Sequence, residues 1–230
     1  MIAFFLDGGL FMWPILLVFV IGISIAGERW YHLSRTKNRS RSMWNLLHPV
    51  LVEGEFDRAR EMVEKDNSAL SKMLGMGLSV HGAGRRRQDM EIAMDESMME
   101  ILPDLEQGTP YVALFSNIAT LLGLLGTIIG LIEAFTAVAN ANPAEKADLL
   151  SASISVAMNT TAFGLIAAIP LLIIHAMLTT TTAQIVDSLE MASVKALNSI
   201  FNKSLFETKS EFSDETRQVS NPEPRLETAS

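Results

Sequence analysis

The chain has 230 residues, 49% of them hydrophobic, and sets 18 Lys and Arg against 26 Asp and Glu for a net charge of −8. It contains no cysteine, which excludes a disulfide framework, a thiol nucleophile and a cysteine metal site. The apolar residues are gathered into long blocks separated by charged ones, the pattern of a chain that crosses a bilayer, and no basic surface extensive enough for nucleic acid is present.

Residues 1–9 hold no Lys or Arg and one acid, Asp7, ahead of the apolar run Leu10–Ala26. A secretory leader carries basic residues at that place, so the run is expected to be retained as a first span. Trp13, Trp30 and Tyr31 mark its two interfaces. Five basic residues follow it: Arg29, Arg35, Lys37, Arg39 and Arg41. A second span is predicted over Val112–Ala139 and a third over Ile154–Leu178, both longer than the ~20 residues that cross a ~30 Å hydrocarbon core. The connection between them, residues 140–150, carries only Lys146 against Glu145 and Asp148. Basic residues stay on the inner side of a membrane, so the N-terminus and this short loop face outward and the C-terminus inward. The fold class is therefore an all-α integral membrane protein with three transmembrane helices and long cytoplasmic helical extensions. In a bacterium its N-terminus is periplasmic and its location the inner membrane.

The insert at residues 31–110 reads as short amphipathic helices, Trp44–Val52, Glu55–Lys65 and Ala69–Val80, separated by Gly54 and Asn67. A turn is expected at His81–Gly84. Met90, Met94, Met98, Ile101 and Leu105 then recur at helical spacing, a packing stripe. Pro103 and the Gly108-Thr109-Pro110 segment are expected to bend the helix that feeds span two. After Ala183 an amphipathic helix bearing Ile185, Leu189, Ala192, Ala196 and Ile200 is predicted to about Phe206. Residues 207–230, poor in large apolar side chains, are expected to be disordered. The organisation is thus a first span (1–30), the insert (31–110), the second and third spans with their loop (111–182), a C-terminal helix (183–206) and a tail (207–230).

Chemistry points to the paired spans. Thr120, Gly123, Thr127, Gly130 and Ala134 form one helix stripe, and Ala157, Thr161, Gly164 and Ala168 another. Small residues permit close helix approach, but depth adds a second meaning. Thr127 lies about 18 Å inside the outer end of its span and Thr161 about 10–14 Å, at 1.5 Å per residue. The two hydroxyls fall at similar levels near mid-membrane, with Asn159 and Thr160 beside Thr161, where they can replace part of an ion's hydration shell. Glu133, an acid well inside a span, stands about 9 Å from Thr127 and about 240° around the helix, an outer vestibule or a pairing residue. His32, His48, His81 and His175 lack metal-ligand spacing, and His175 reads as a packing residue. No acid lies level with the threonines, so a proton carrier has to come from another chain. No nucleophile–base pair or phosphate loop is present, and the chain is not expected to be an enzyme.

In two blocks, LLGLLGTIIGLIEAF (Leu121–Phe135) and ISVAMNTTAFGLIAAIP (Ile154–Pro170), the sequence resembles the ExbB/TolQ/MotA family of ion-driven motor subunits. The three-span layout favours the ExbB/TolQ branch, because the MotA branch has four spans, and the resemblance covers about Leu10–Phe206. It implies a homopentamer around the membrane helices of an ExbD/TolR-like single-span subunit whose aspartate shuttles H+ or Na+. It also implies a TonB/TolA-like effector downstream, and no cofactor. Thr127 and Thr161 fall on the family's two lumen threonines. The resemblance makes Thr127, Thr161, Thr160, Asn159 and Glu133 the ion pathway, and Thr120, Gly123, Gly130, Ala157 and Gly164 a lumen stripe. Two departures stand out: Val156 replaces a glutamate frequent in this branch, and Thr120 replaces a proline. A structural scaffold whose stripes only pack helices is the alternative reading of the same residues.

Overall fold

The computed structural model describes residues 9–82 and 86–220, with side chains described for 9–80, 86–139 and 141–201. Those residues form six helices: α1 Met12–Glu53, α2 Phe56–Lys65, α3 Ala69–Gly82, α4 Arg87–Glu106, α5 Thr109–Asn140 and α6 Lys146–Ser220. Among the described residues there is no strand. Three helical stretches are long and apolar enough to cross a membrane, and they lie in Met12–Glu53, Arg87–Ala139 and Lys146–Phe201. The chain is a multi-pass membrane protein by this measure. At 1.5 Å per residue α1 extends about 63 Å, twice the ~30 Å hydrocarbon core, so a single helix serves both span and extension.

Several boundaries differ from the sequence expectation. Trp44–Val52 is not a separate helix but the end of α1, which runs unbroken from Met12 to Glu53 with Pro49 in its interior. The break expected at Gly54 is present, at φ +78. Pro103 likewise sits inside α4. The bend expected there is instead a full interruption at Gln107 and Gly108, after which Pro110 opens α5 in the first turn, where its missing N–H is harmless. The connection between the second and third spans is shorter than predicted, since α6 begins at Lys146. At the other end helical backbone continues to Ser220, past Phe206, where a disordered tail is expected. His81 and Gly82, expected in a turn, are the last residues of α3, and residues 1–8, 83–85 and 221–230 lie outside the described residues.

The chain divides into two compact units. The first holds the described residues through Arg35 together with Pro103–Ile185. Its core joins Ile15 and Val18 of α1, Ala119 of α5, and Ala167 and Ala168 of α6, flanked by Phe19, Phe115, Ile118, Leu122 and Phe163. The Ser116 hydroxyl donates to the Ala168 carbonyl at 2.8 Å, fully buried, so one neutral hydrogen bond ties α5 to α6 within the apolar core. Leu121, Leu124, Ile128, Ile132 and Phe135 on α5 and Ile166, Ile169 and Ile173 on α6 are exposed. An outward face this apolar suits lipid or other membrane helices rather than water.

The second unit holds Thr36–Leu102 and the described residues from Val186 onward. The methionine stripe of α4 packs within the chain: Met90 and Met94 are buried, and the Ser193 hydroxyl donates to the Met94 sulfur at 3.1 Å. Leu189, Ala192, Ala196 and Ile200 bury the predicted face of α6. At the α2–α3 turn, burial by itself pushes the Asp66 carboxyl up. Hydrogen bonds from the Ser68 and Ser71 hydroxyls, Arg39 and the Ser68 backbone N–H outweigh it and hold the carboxyl well below its ordinary value. Arg39 of α1 donates to Asp66 at 2.7 Å, which pins α1 to the turn. A depressed carboxylate stabilises the folded state fully above the unfolded pKa of about 3.9, and loses that contribution as pH falls through the folded pKa. Asp66→Asn is therefore expected to lower the melting temperature modestly at pH 7 and to flatten its fall below about pH 4. Equal acid slopes in both proteins would refute the assignment.

Candidate functional site

The site grows from glycine. A Cβ built on Gly164 would lie 2.9 Å from both the Ala119 carbonyl oxygen and the Gly123 Cα. One on Gly123 would lie 3.2 Å from the Gly164 Cα and 3.4 Å from the Thr161 Cα. These neighbours are backbone atoms, so neither helix has a side chain that can step aside. A Cβ on Gly130 would lie 2.9 Å from the Ala157 Cβ and 3.4 Å from its Cα, about two turns along both helices. Close contact of this kind is how membrane helices associate when the hydrophobic effect gives them little reason to. Gly123, Gly130, Ala157 and Gly164, expected as one lumen stripe, are joined within the protomer as the α5–α6 seam. Gly126, which the stripe reading passed over, belongs here too, set against Thr160 and Phe11. Its signal was available as the second glycine of LLGLLGT, three residues after Gly123.

The hydroxyls take their geometry from this seam. Because Gly123 has no side chain, the Thr161 hydroxyl reaches across from α6 and donates to the Gly123 carbonyl at 2.9 Å. The Thr127 hydroxyl donates to the carbonyl of the next residue, Leu124, at 2.7 Å. Consecutive carbonyls of α5 thus engage the hydrogens of both threonines. A hydroxyl has one hydrogen and two lone pairs, so each oxygen is left facing its surroundings as an acceptor. Both side chains are half-buried, at the edge of the seam rather than sealed in it. Thr160 is buried, 2% exposed, and donates to the Val156 carbonyl at 3.0 Å. Asn159 is half-buried beside it.

Two predicted residues are not brought to this place. Thr120 is exposed and donates to its own helix at the Ser116 carbonyl, 3.2 Å away. Glu133 is exposed on α5, more than a turn and a half beyond Thr127 toward the C-terminal end of the helix. Among the described residues no group of three or more His, Asp or Glu side chains is placed to hold a metal ion. The donor set at the seam is neutral oxygen: two hydroxyls and the carbonyls that orient them. Such a set can accept a hydrogen bond from a protonated carboxyl or replace water around a small cation.

A family model described as the MotA/TolQ/ExbB proton channel family matches residues 65–191. The matched stretch contains α3 through the third span, with both threonines and the whole seam. The chain is similar to a "Putative biopolymer transport protein ExbB-like 1" of Synechocystis sp., 27% identical over 186 residues, which is 80% of this chain and 72% of that protein. It is similar to a "Putative biopolymer transport protein ExbB homolog" of Methanothermobacter thermautotrophicus, 25% identical over 81% of this chain and 66% of that one. A third relative is the "Biopolymer transport protein exbB1" of Vibrio cholerae, 29% identical over 70% of this chain and 72% of its own length.

Proposed function

Since this chain belongs to the MotA/TolQ/ExbB proton channel family, we propose that it is the channel-forming subunit of an ion-driven motor in a bacterial inner membrane. It works as a homopentamer around the membrane helices of an ExbD/TolR-like subunit and passes mechanical work to a TonB/TolA-like effector. The observation that carries this reading is the pair of half-buried hydroxyls whose hydrogens are already engaged by consecutive carbonyls, Gly123 and Leu124. A donor is then what they lack. A protonated aspartate on a partner helix supplies one, and a deprotonated aspartate is repelled by the same lone pairs, so ion loading and release change its fit. Thr160 and Asn159 support Thr161 and Glu133 faces the outer mouth, while Gly123, Gly130, Ala157 and Gly164 close the α5–α6 seam that positions the hydroxyls.

The energy available is sufficient for stepping. One charge crossing 100 mV releases about 2.3 kcal/mol, which is more than the ~0.6 kcal/mol of a typical membrane hydrogen bond being exchanged. The scaffold reading has its own support in the Gly123–Gly164 backbone contact, which packs helices whatever the chain does. Reconstitution decides between them. Native mass spectrometry of the chain with a one-span, aspartate-bearing partner should give five copies, and vesicles should pass protons or sodium only when both chains are present. A monomer or dimer with no partner-dependent flux would leave the scaffold.

A further inference from the structure

Between α4 and α5 the backbone is interrupted for two residues, with Gly108 at φ +81. The last carbonyls of α4 have no partners within their own helix. Arg29, reaching over from α1, donates from Nη2 to the carbonyls of Asp104 at 3.2 Å and Leu105 at 2.6 Å. Thr182 of α6 also donates to the Leu105 carbonyl, at 3.5 Å. Gly108 makes the crossing possible, since a Cβ there would lie 2.8 Å from the Arg29 Cδ. Three helices meet at the Leu105 carbonyl, α1 through the Arg29 guanidinium and α6 through the Thr182 hydroxyl.

The clasp is incomplete. Arg29 is 8% exposed and Thr109 6%, and the Arg29 Nε and the Thr109 Oγ1 are both buried with no hydrogen-bond partner. An orphaned buried polar atom bears its full desolvation penalty with nothing in return. Two of them flank the one left-handed residue of the segment, where the backbone has glycine's freedom. Farther along, α5 is held to α6 by direct backbone contact at Gly164, so any movement of its inner end concentrates at Gly108.

We propose that the α4–α5 break is a poised joint: Arg29 holds it shut imperfectly, and opening hydrates Arg29 Nε and Thr109 Oγ1 while α5 tilts against the last turn of α4. The purpose of the joint, movement during the ion-driven cycle, rests on the motor reading, but its existence does not. Two substitutions act on it in opposite directions. Thr109→Val keeps the shape and removes an orphan hydroxyl. Arg29→Lys keeps the charge but loses the planar reach across two carbonyls.

The test uses the full chain in lipid nanodiscs. Thr109→Val should raise the melting temperature and slow hydrogen exchange at residues 107–113 at least tenfold, with exchange at 116–123 unchanged. Arg29→Lys should speed exchange at 107–113 about tenfold. In vesicles with the partner, Thr109→Val should cut coupled proton flux several-fold. A lower melting temperature or faster exchange in Thr109→Val overturns the proposal, because the hydroxyl then has a partner, such as an ordered water bridging to Nε, in a static cap. Slower exchange with undiminished flux overturns the part of the proposal that concerns the cycle. Absence of flux in the unsubstituted complex would refute the motor reading instead, and the exchange rates would still decide the joint.

Discussion

Replacing Gly164 by valine should prevent the protein from reaching its folded state in the membrane. A single Cβ at that position would stand 2.9 Å from the Ala119 carbonyl oxygen and 2.9 Å from the Gly123 Cα. Relief requires α5 and α6 to separate along the whole seam, which also breaks the Thr161–Gly123 and Ser116–Ala168 bonds. Overpacking in an ordinary core costs about 1–3 kcal/mol because side chains can yield. Here the obstructing atoms are backbone, so the loss should exceed about 4 kcal/mol, the range reserved for a named structural fault. Yield of monodisperse protein after detergent extraction, followed by thermal unfolding, would measure it. Gly27 is the control: its Cβ would meet nothing within 4 Å, so Gly27→Ala should behave as the parent. A well-folded Gly164→Val would mean that the seam is not as close as described.

The largest functional effect is expected from the hydroxyls. Thr127→Ala and Thr161→Val should each abolish force transfer, and reduce partner-dependent ion flux at least tenfold, while the complex stays assembled. The reason is a difference of magnitudes. A hydrogen bond between membrane helices contributes about 0.6 kcal/mol on average and 1.7 at most, so losing one leaves a seam of glycine contacts intact. Losing the acceptor for a carboxyl in a dry site leaves that carboxyl unsatisfied at each step, at about 1–3 kcal/mol. Thr161→Ser is the informative companion. It restores the oxygen without the methyl and should recover most of the flux. Full activity in both Thr127→Ala and Thr161→Val, with assembly verified by native mass spectrometry, would remove these residues from the ion path.

How much of this was legible beforehand depends on the physical signal involved. Membrane spans announce themselves through length and composition, and all three were placed. So was the buried face of α6 from Ile185 to Ile200, because a period of 3.6 is a property of the helix itself. Helix ends were less legible. Gly54 was read as a break and is one, whereas Pro103 was read as a bender yet lies inside a helix, and the bend expected at Gly108 is a full interruption. Proline penalises a helix locally, and packing on either side can outweigh that. The glycine stripes were visible but their partner was not, because one periodicity serves a contact within the chain or between chains. Arg29 was counted only as a topological charge. Its role as a cap on carbonyls 75 and 76 residues away depends on a meeting of helices that no local pattern encodes. Ser116 was overlooked for the same reason.

One property of α6 reaches beyond any single residue. Ala157, Gly164, Leu171, Leu178, Ile185 and Ala192 are all buried, and each follows the last by seven. A straight helix drifts about 20° per such interval, so a face that keeps this count winds gently to the left as it advances. The helix therefore carries a counting rule from Ala157 to Ala192. Natural variation in its length should come in blocks of seven. One added residue turns everything downstream by about 100° and presents the wrong side of the helix to every neighbour beyond it.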